Sequence, residues 1–310
     1  MPWHIFTGNG QPASETEAWR ALPPAPPWRD RATAIEHFVI GPELLDAVNT
    51  ALHLRRPLLL TGAPGSGKST LVALIAAELQ LGEPLAWHIT SRSTITDGLY
   101  QYDALGRLHA TQAQPAGGAA VEQFVTLGPL GTALAAADRP RAVLIDEIDK
   151  SDFDLPSDLL TVLDQGSFDV PALVRDAQSG AGSAHRVRGA DRAGYTVTNG
   201  VIRRSHWPVI VLTSNGERTF PAPFLRRCVR FEIPTATESL IRDVVAGHLS
   251  GVEDRERDEI HRFARRLVEG ESLALDQLLN FLHLVSGDAA PDPQTRERVA
   301  RILLEELNGK

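Results

Sequence analysis

Gly62-Ala63-Pro64-Gly65-Ser66-Gly67-Lys68-Ser69 decides the reading of this chain. The apolar run Pro57–Thr61 precedes it, and Leu71, Leu74, Ile75 and Leu79 follow at helical spacing, with Gly82 as a stop signal. G-x-x-x-x-G-K-Ser/Thr between a strand and a helix is the pattern of a phosphate-binding loop. Its glycines let backbone N–H groups converge on phosphate oxygens, and the helix N-terminus adds positive potential. Lys68 is placed to reach the β- and γ-phosphates of ATP, and the Ser69 hydroxyl to ligate Mg²⁺. Residues 62–70, Thr70 included, form the candidate nucleotide-binding set.

Moving outward, Ala142-Val143-Leu144-Ile145-Asp146-Glu147 is an apolar strand ending in two carboxylates. Such a strand delivers Asp146 to the carboxyl edge of a sheet, where nucleotides sit in open α/β folds. Asp146 is the candidate Mg²⁺ holder and Glu147 the candidate general base for an attacking water. The next pair, Asp149-Lys150, reads as an exposed turn. Val211-Leu212-Thr213-Ser214-Asn215 repeats the design: Asn215 can donate to the γ-phosphate or orient the water, or simply form a turn before Gly216. Phe224-Leu225-Arg226-Arg227-Cys228 precedes a further strand. Its arginines can act on the γ-phosphate of a neighbouring subunit, or make a surface salt bridge.

Five short apolar runs, Pro57–Thr61, Leu85–Ile89, Ala142–Asp146, Val209–Thr213 and Val229–Ile233, read as strands buried on both faces. Alternating with helices, they predict an α/β fold with a mostly parallel sheet between helical layers. A helix is expected at about Pro156–Gln165. After Pro234 the pattern is helical only, at roughly 237–249, 254–269, 272–286 and 294–307, the last presenting Val299, Ile302, Leu303 and Leu307 on one face. The expected organisation is an arm at 1–30, an α/β domain at 31–235 and a small helical domain at 236–310. Irregular inserts fall at about 90–130 and 166–207. In the second, Asn199-Gly200 between alternating stretches signals a long β-hairpin.

Of 310 residues, 43% are hydrophobic and 23% charged, with a net charge of −8. That acidic balance argues against nucleic acid or an anionic membrane as the general partner. No apolar run approaches the ~18–20 residues of a membrane span, and no signal peptide is visible. The single cysteine, Cys228, reads as a reduced core residue. Together these describe a cytoplasmic chain. The histidines show no pairing at transition-metal spacing. In the arm, Pro23, Pro24, Pro26 and Pro27 lie between Trp19 and Trp28. They suit either packing on the chain's own domain or a neighbour, or docking in a groove of another protein. Arg175, Arg186, Arg188, Arg192, Arg203 and Arg204 give the hairpin region a basic excess. It suits a solvated face, an acidic protein partner, or nucleic acid. Leu99, Tyr100 and Tyr102 suit core packing or grip on a substrate in a central channel.

In order and spacing, the phosphate loop, strand-Asp146-Glu147, strand-Thr213-Ser214-Asn215 and Phe224–Cys228, followed by a helical domain, resemble an AAA+ ATPase. Ser93-Thr94-Ile95-Thr96-Asp97-Gly98-Leu99-Tyr100 and Gly128-Pro129-Leu130-Gly131-Thr132-Ala133-Leu134 resemble its MoxR-like branch. The resemblance implies sheet order 5-1-4-3-2, a hexameric ring, and ATP hydrolysis that remodels or activates partner proteins. Von Willebrand factor A-domain proteins are the typical partners, in some bacterial relatives within conflict or defence modules. Aligning Leu225-Arg226-Arg227 with the family's Leu-Asp-Arg puts Arg227 at the finger position. One departure stands out. The family carries a basic sensor 2 residue where this chain has Glu271-Ser272-Leu273-Ala274-Leu275-Asp276-Gln277, without Lys or Arg. Arg262, Arg265 or Arg266 substitutes, or the helical domain senses the γ-phosphate poorly. The alternatives to a remodelling ATPase are a nucleotide-gated assembly module with slow turnover and a DNA-acting motor.

Overall fold

The computed structural model describes Trp3, Ile5, Phe6 and residues 22–113, 120–180, 183–271, 273–287 and 290–304. The chain divides into two compact units. One comprises Ile40–Gly62 and Leu71–Ile233, the other Met1–Val39, Ala63–Thr70 and Pro234–Lys310.

The first unit is built on five parallel strands: β1 (Leu58–Thr61), β2 (Leu85–His88), β3 (Ala142–Asp146), β4 (Val209–Ser214) and β5 (Val229–Glu232). Their order is β5-β1-β4-β3-β2, the 5-1-4-3-2 arrangement that the resemblance implies. Leu58, Leu59, Leu60, Val143 and Ile145 are at most 1% exposed. Apolar side chains on both faces of a strand need helical cover on both sides, which is why connections here are crossovers rather than tight turns. Helix Pro42–Leu54 buries Leu44, Val48 and Ala51, and helix Leu155–Gln165 buries Leu155, Leu159, Leu160 and Leu163 before Gly166 closes it at φ 63°. In helix Lys68–Glu78, Leu71, Val72, Ala73, Ile75 and Ala76 are buried but Leu79 is 45% exposed. The apolar surface of that helix therefore wraps its first turns instead of following the Leu71–Leu79 stripe.

The two inserts, the second of them expected to hold one hairpin, together form a second, six-stranded sheet. Its order is Tyr100–Tyr102, Val125–Leu127, Ala184–Arg188, Gly194–Thr198, Val201–Arg203 and Ser167–Asp169. Asn199-Gly200 does turn one hairpin, pairing Thr198 with Val201. Three of the missed partners, Tyr100–Tyr102, Val125–Leu127 and Ser167–Asp169, are three-residue strands, too short to show alternation, and the fourth, Ala184–Arg188, has only Val187 as an apolar inward residue beside His185. Tyr100 on one edge strand stacks on Phe168 of the other, ring centroids 6.3 Å apart, so the sheet curls towards closure. Both rings are half-buried, which favours packing for Tyr100. On the opposite hairpin face Arg186 and Arg188 are exposed, while the alternating His185 and Val187 are buried.

Two motifs that carried the family resemblance meet here. A Cβ on Gly131 would stand 1.8 Å from the Leu99 carbonyl oxygen. Helix Pro129–Ala135 can cross the end of helix Ile95–Leu99 only because that position lacks a side chain.

In the second unit, helices Glu238–His248, Arg257–Val268, Leu275–Ser286 and Pro293–Leu303 share a core that includes Ile241, Phe263, Phe281 and Leu282. Trp3 and Trp28 pack against this core. Trp28 meets His248 and His283 edge-on, at 5.9 and 5.5 Å. The last helix turns Thr295 and Val299 inward. Ile302, expected on that face, is 73% exposed although Thr295, two turns earlier on the same side of the helix, is buried, so the core does not extend to the helix's last turn at that position. Trp19 and Leu307 lie outside the described residues. Among the described residues no helix is long and apolar enough to cross a membrane.

Candidate functional site

The candidate residues fall in both units. In the second unit, the phosphate loop holds Gly65 at φ 71° and Gly67 at φ 81°, left-handed conformations natural to glycine. Space enforces the same choice. A Cβ on Gly67 would meet the Phe38 ring at 2.7 Å, and one on Gly65 would meet Ala274 at 2.7 Å. Lys68 is only 8% exposed, and its amine donates to the Ala63 carbonyl oxygen at 2.8 Å. Ser66 Oγ is buried without a hydrogen-bond partner. A buried hydroxyl left unpaired is costly, and an anion cradled by the loop would satisfy it. Ser69 and Thr70 lie in the first turn of helix Lys68–Glu78, whose leading N–H groups have no partner within the helix. Gly62, assigned to the first unit, sits against Ile233.

In the first unit, Asp146 ends β3 between two neighbouring strands. The β4–β3 register pairs Leu212 with Ile145, which brings Thr213 alongside Asp146, while β2 pairs His88 with Asp146 directly. The Thr213 hydroxyl donates to Asp146 Oδ1 at 2.5 Å and accepts from the Glu147 N–H at 2.9 Å. One hydroxyl thus orients the first carboxylate and the backbone of the second. Thr213 is 1% exposed, so water cannot take its place. His88 Nδ1 lies 3.3 Å from Asp146 Oδ2 on the other side.

Glu147 has φ 60° and ψ 47°. A non-glycine residue held there costs about 1–3 kcal/mol and persists only where its surroundings enforce it. Here the bond to Thr213 does so, and the Glu147 carboxylate meets Lys150 Nζ at 2.8 Å. That hydrogen bond pushes the Lys150 pKa up.

Asp149 corrects the sequence expectation. It is 4% exposed, not a surface turn, and its Oδ2 accepts from the backbone N–H groups of Asn215 and Glu217 at 2.9 and 3.1 Å. Asp149 therefore pins the loop after β4 and places Asn215. Arg226 and Arg227 are both exposed, because the anchors flanking them, Phe224 and Cys228, point into the core. Arg227 Nε lies 3.6 Å from Asp164. The carbonyl oxygen of Arg226 accepts from Arg56 at 3.4 Å. With Arg55, Arg56 and Trp207, Arg227 lines a cleft of about 300 Å³. Burial pushes the Cys228 thiol up to about 12, which keeps it protonated and inert.

The three arginines considered as substitutes for the absent basic residue are committed locally. Arg262 pairs with Glu259, Arg265 with Glu269 at 3.1 Å, and Arg266 with Glu271 at 2.6 Å. Among the described residues no cluster of three His, Cys, Asp or Glu side chains is arranged to hold a metal ion. The Ser69 hydroxyl and the Asp146 carboxylate are each oxygen donors of the kind that a hard cation such as Mg²⁺ takes.

Thr213, His88 and Asp149 are the site residues that motif reading missed. Thr213 was legible in principle: counting the parallel register of β3 and β4 from their apolar runs sets it beside Asp146. No curated protein matches the chain. A family model described as an AAA domain of the dynein-related subfamily matches residues 57–218. That span runs from β1 through the phosphate loop and the Asp146–Glu147 pair to Asn215, and with the β5-β1-β4-β3-β2 sheet it assigns the fold: the chain belongs to the AAA domain family, in its dynein-related subfamily.

Proposed function

We propose that the chain is an ATPase of the MoxR-like branch, working in the cytoplasm as a ring, hexameric by family resemblance, to remodel or activate partner proteins. The observation that carries hydrolysis is the Thr213 hydroxyl, which orients Asp146 and Glu147 together. A pair held only for structure has no need of a strained Glu147. In this reading the loop at 62–70 binds the phosphates, Lys68 neutralises their charge, and Ser69 with Asp146 holds Mg²⁺. That ion, when bound, draws charge off the phosphate oxygens. Glu147 accepts a proton from water as the water oxygen bonds to the γ-phosphorus. The bond from that phosphorus to the β–γ bridging oxygen breaks, leaving ADP and phosphate. Asn215, placed by Asp149, orients the water, and Arg227 acts on the nucleotide of a neighbouring subunit, with Arg226 beside it. The domain organisation proposed is an arm at 1–30, the AAA domain at 31–235 with its two inserts, and a helical lid at 236–310. A von Willebrand factor A-domain protein is the partner class that the branch favours.

One observation favours a second reading, a nucleotide-gated assembly module with slow turnover. Residues 271–277 carry no cation, and the nearby Arg262, Arg265 and Arg266 are paired within their own segment. Turnover separates the two readings. Lys68→Ala should abolish ATP binding, and Glu147→Gln should bind ATP yet stop hydrolysis. Binding by the first variant at parental affinity would remove the phosphate-loop reading. Parental turnover by the second would remove Glu147 as base.

A further inference from the structure

The contact that forces Gly65 to be glycine also carries a charge. Besides Ala274, the position a Cβ on Gly65 would take lies 2.9 Å from Asp276 Oδ1. A carboxylate therefore touches the backbone of the phosphate loop. It is held there by helix Leu275–Ser286, whose Ala274 N–H is capped by the Gln277 side chain at 2.7 Å. Asp276 stands in the first turn of that helix and is exposed. Among the described residues no cation pairs with it, and Arg266, the nearest arginine or lysine in sequence, is spent on Glu271.

A negative charge in that place opposes what the loop is built to attract. Ser66, Lys68 and the helix N-terminus all favour an anion, whereas Asp276 repels one across a separation shorter than the ~10 Å screening length at 0.1 M salt. We propose that Asp276 sets nucleotide affinity from the C-terminal helices, lowering it in proportion to phosphate charge and so weakening ATP more than ADP. The proposal rests on the nucleotide reading of the loop. It gives the helical region a direct hand in occupancy: any movement that carries helix Leu275–Ser286 away from Gly65 tightens ATP binding, and a bound triphosphate pushes that helix outward.

The test is titration of the full chain with Mg²⁺ and either ADP or a non-hydrolysable ATP analogue, at low and at 0.5 M salt. Parent, Asp276→Asn and Asp276→Lys are compared, with thermal melting of each variant alongside. Asp276→Asn should bind the analogue about two- to fivefold tighter at low salt and ADP less than twofold tighter. Asp276→Lys should exceed both gains, and all of them should shrink at high salt. A merely structural role in the helix's first turn predicts the opposite sign, lower stability and weaker binding. Equal or weaker analogue binding in both variants overturns the proposal. A parent chain that binds neither nucleotide overturns the nucleotide reading beneath it.

Discussion

Replacing Thr213 with valine keeps the shape of the side chain and removes one hydroxyl. That hydroxyl makes two bonds, to Asp146 Oδ1 at 2.5 Å and from the Glu147 N–H at 2.9 Å. With Thr213 at 1% exposure, no water can enter to replace them. A buried N–H left without an acceptor costs about 1–3 kcal/mol, and the bond lost to an ionised carboxylate is of the same size. Part of the second cost is recovered from solvent, since Asp146 is 19% exposed. Stability should therefore fall by about 2–3 kcal/mol. Partners that orient a metal-holding carboxylate are worth about 10–100-fold in metal affinity or activity. Thr213→Val should accordingly need about 10-fold more Mg²⁺ for half-maximal ATPase activity, with kcat reduced about 10–100-fold at saturation. Thr213→Ser restores the hydroxyl and loses only a methyl group, so it should recover most of the activity while remaining slightly destabilised. The assays are urea denaturation and steady-state phosphate release across a Mg²⁺ series. A valine variant with the parental Mg²⁺ midpoint and kcat would refute the bridging role. So would a serine variant as inactive as valine.

Arg227→Ala should bind ATP nearly as the parent does and hydrolyse it at least ~10³-fold more slowly, the low end for arginine fingers. Mixing it with Glu147→Gln should restore phosphate release if each site is shared between subunits, and no recovery despite co-assembly would argue against that sharing. Gly131→Ala puts a methyl group into the Leu99 carbonyl and should destabilise the chain by about 3 kcal/mol or more, beyond the usual cost of overpacking. A urea midpoint close to the parental one would show that the crossing relaxes freely.

The inner strands β1, β3 and β4 were legible because they are apolar runs of four to six residues. The edge strands β2 and β5, also expected to be buried on both faces, alternate instead, with Ala86, His88, Arg230 and Glu232 exposed at edges that no further strand of the sheet covers. Burial on both faces leaves that mark on sequence whatever the connections. The phosphate loop and the Asp146–Glu147 pair were legible for a related reason: both are local words whose chemistry depends on neighbours one to eight positions away. The curled second sheet left little trace beyond Asn199-Gly200, since most of its strands are too short for periodicity to emerge. Asp149 was misread because a carboxylate two positions after the Asp146-Glu147 pair looks like a turn. Its backbone partners, Asn215 and Glu217, lie on the far side of the second insert.

By itself, then, the sequence determined the elements of the central sheet, their parallel pairing and the candidate groups for meeting phosphate. Only the tertiary structure decided how those groups are held: Thr213 between the Asp146 carboxylate and the Glu147 N–H, Asp149 beneath Asn215, Asp276 against Gly65. Each of those contacts joins residues far apart in the chain, through a hydrogen bond or an approach of a few ångströms. Such a contact exists only once strand register and helix packing have set the distance.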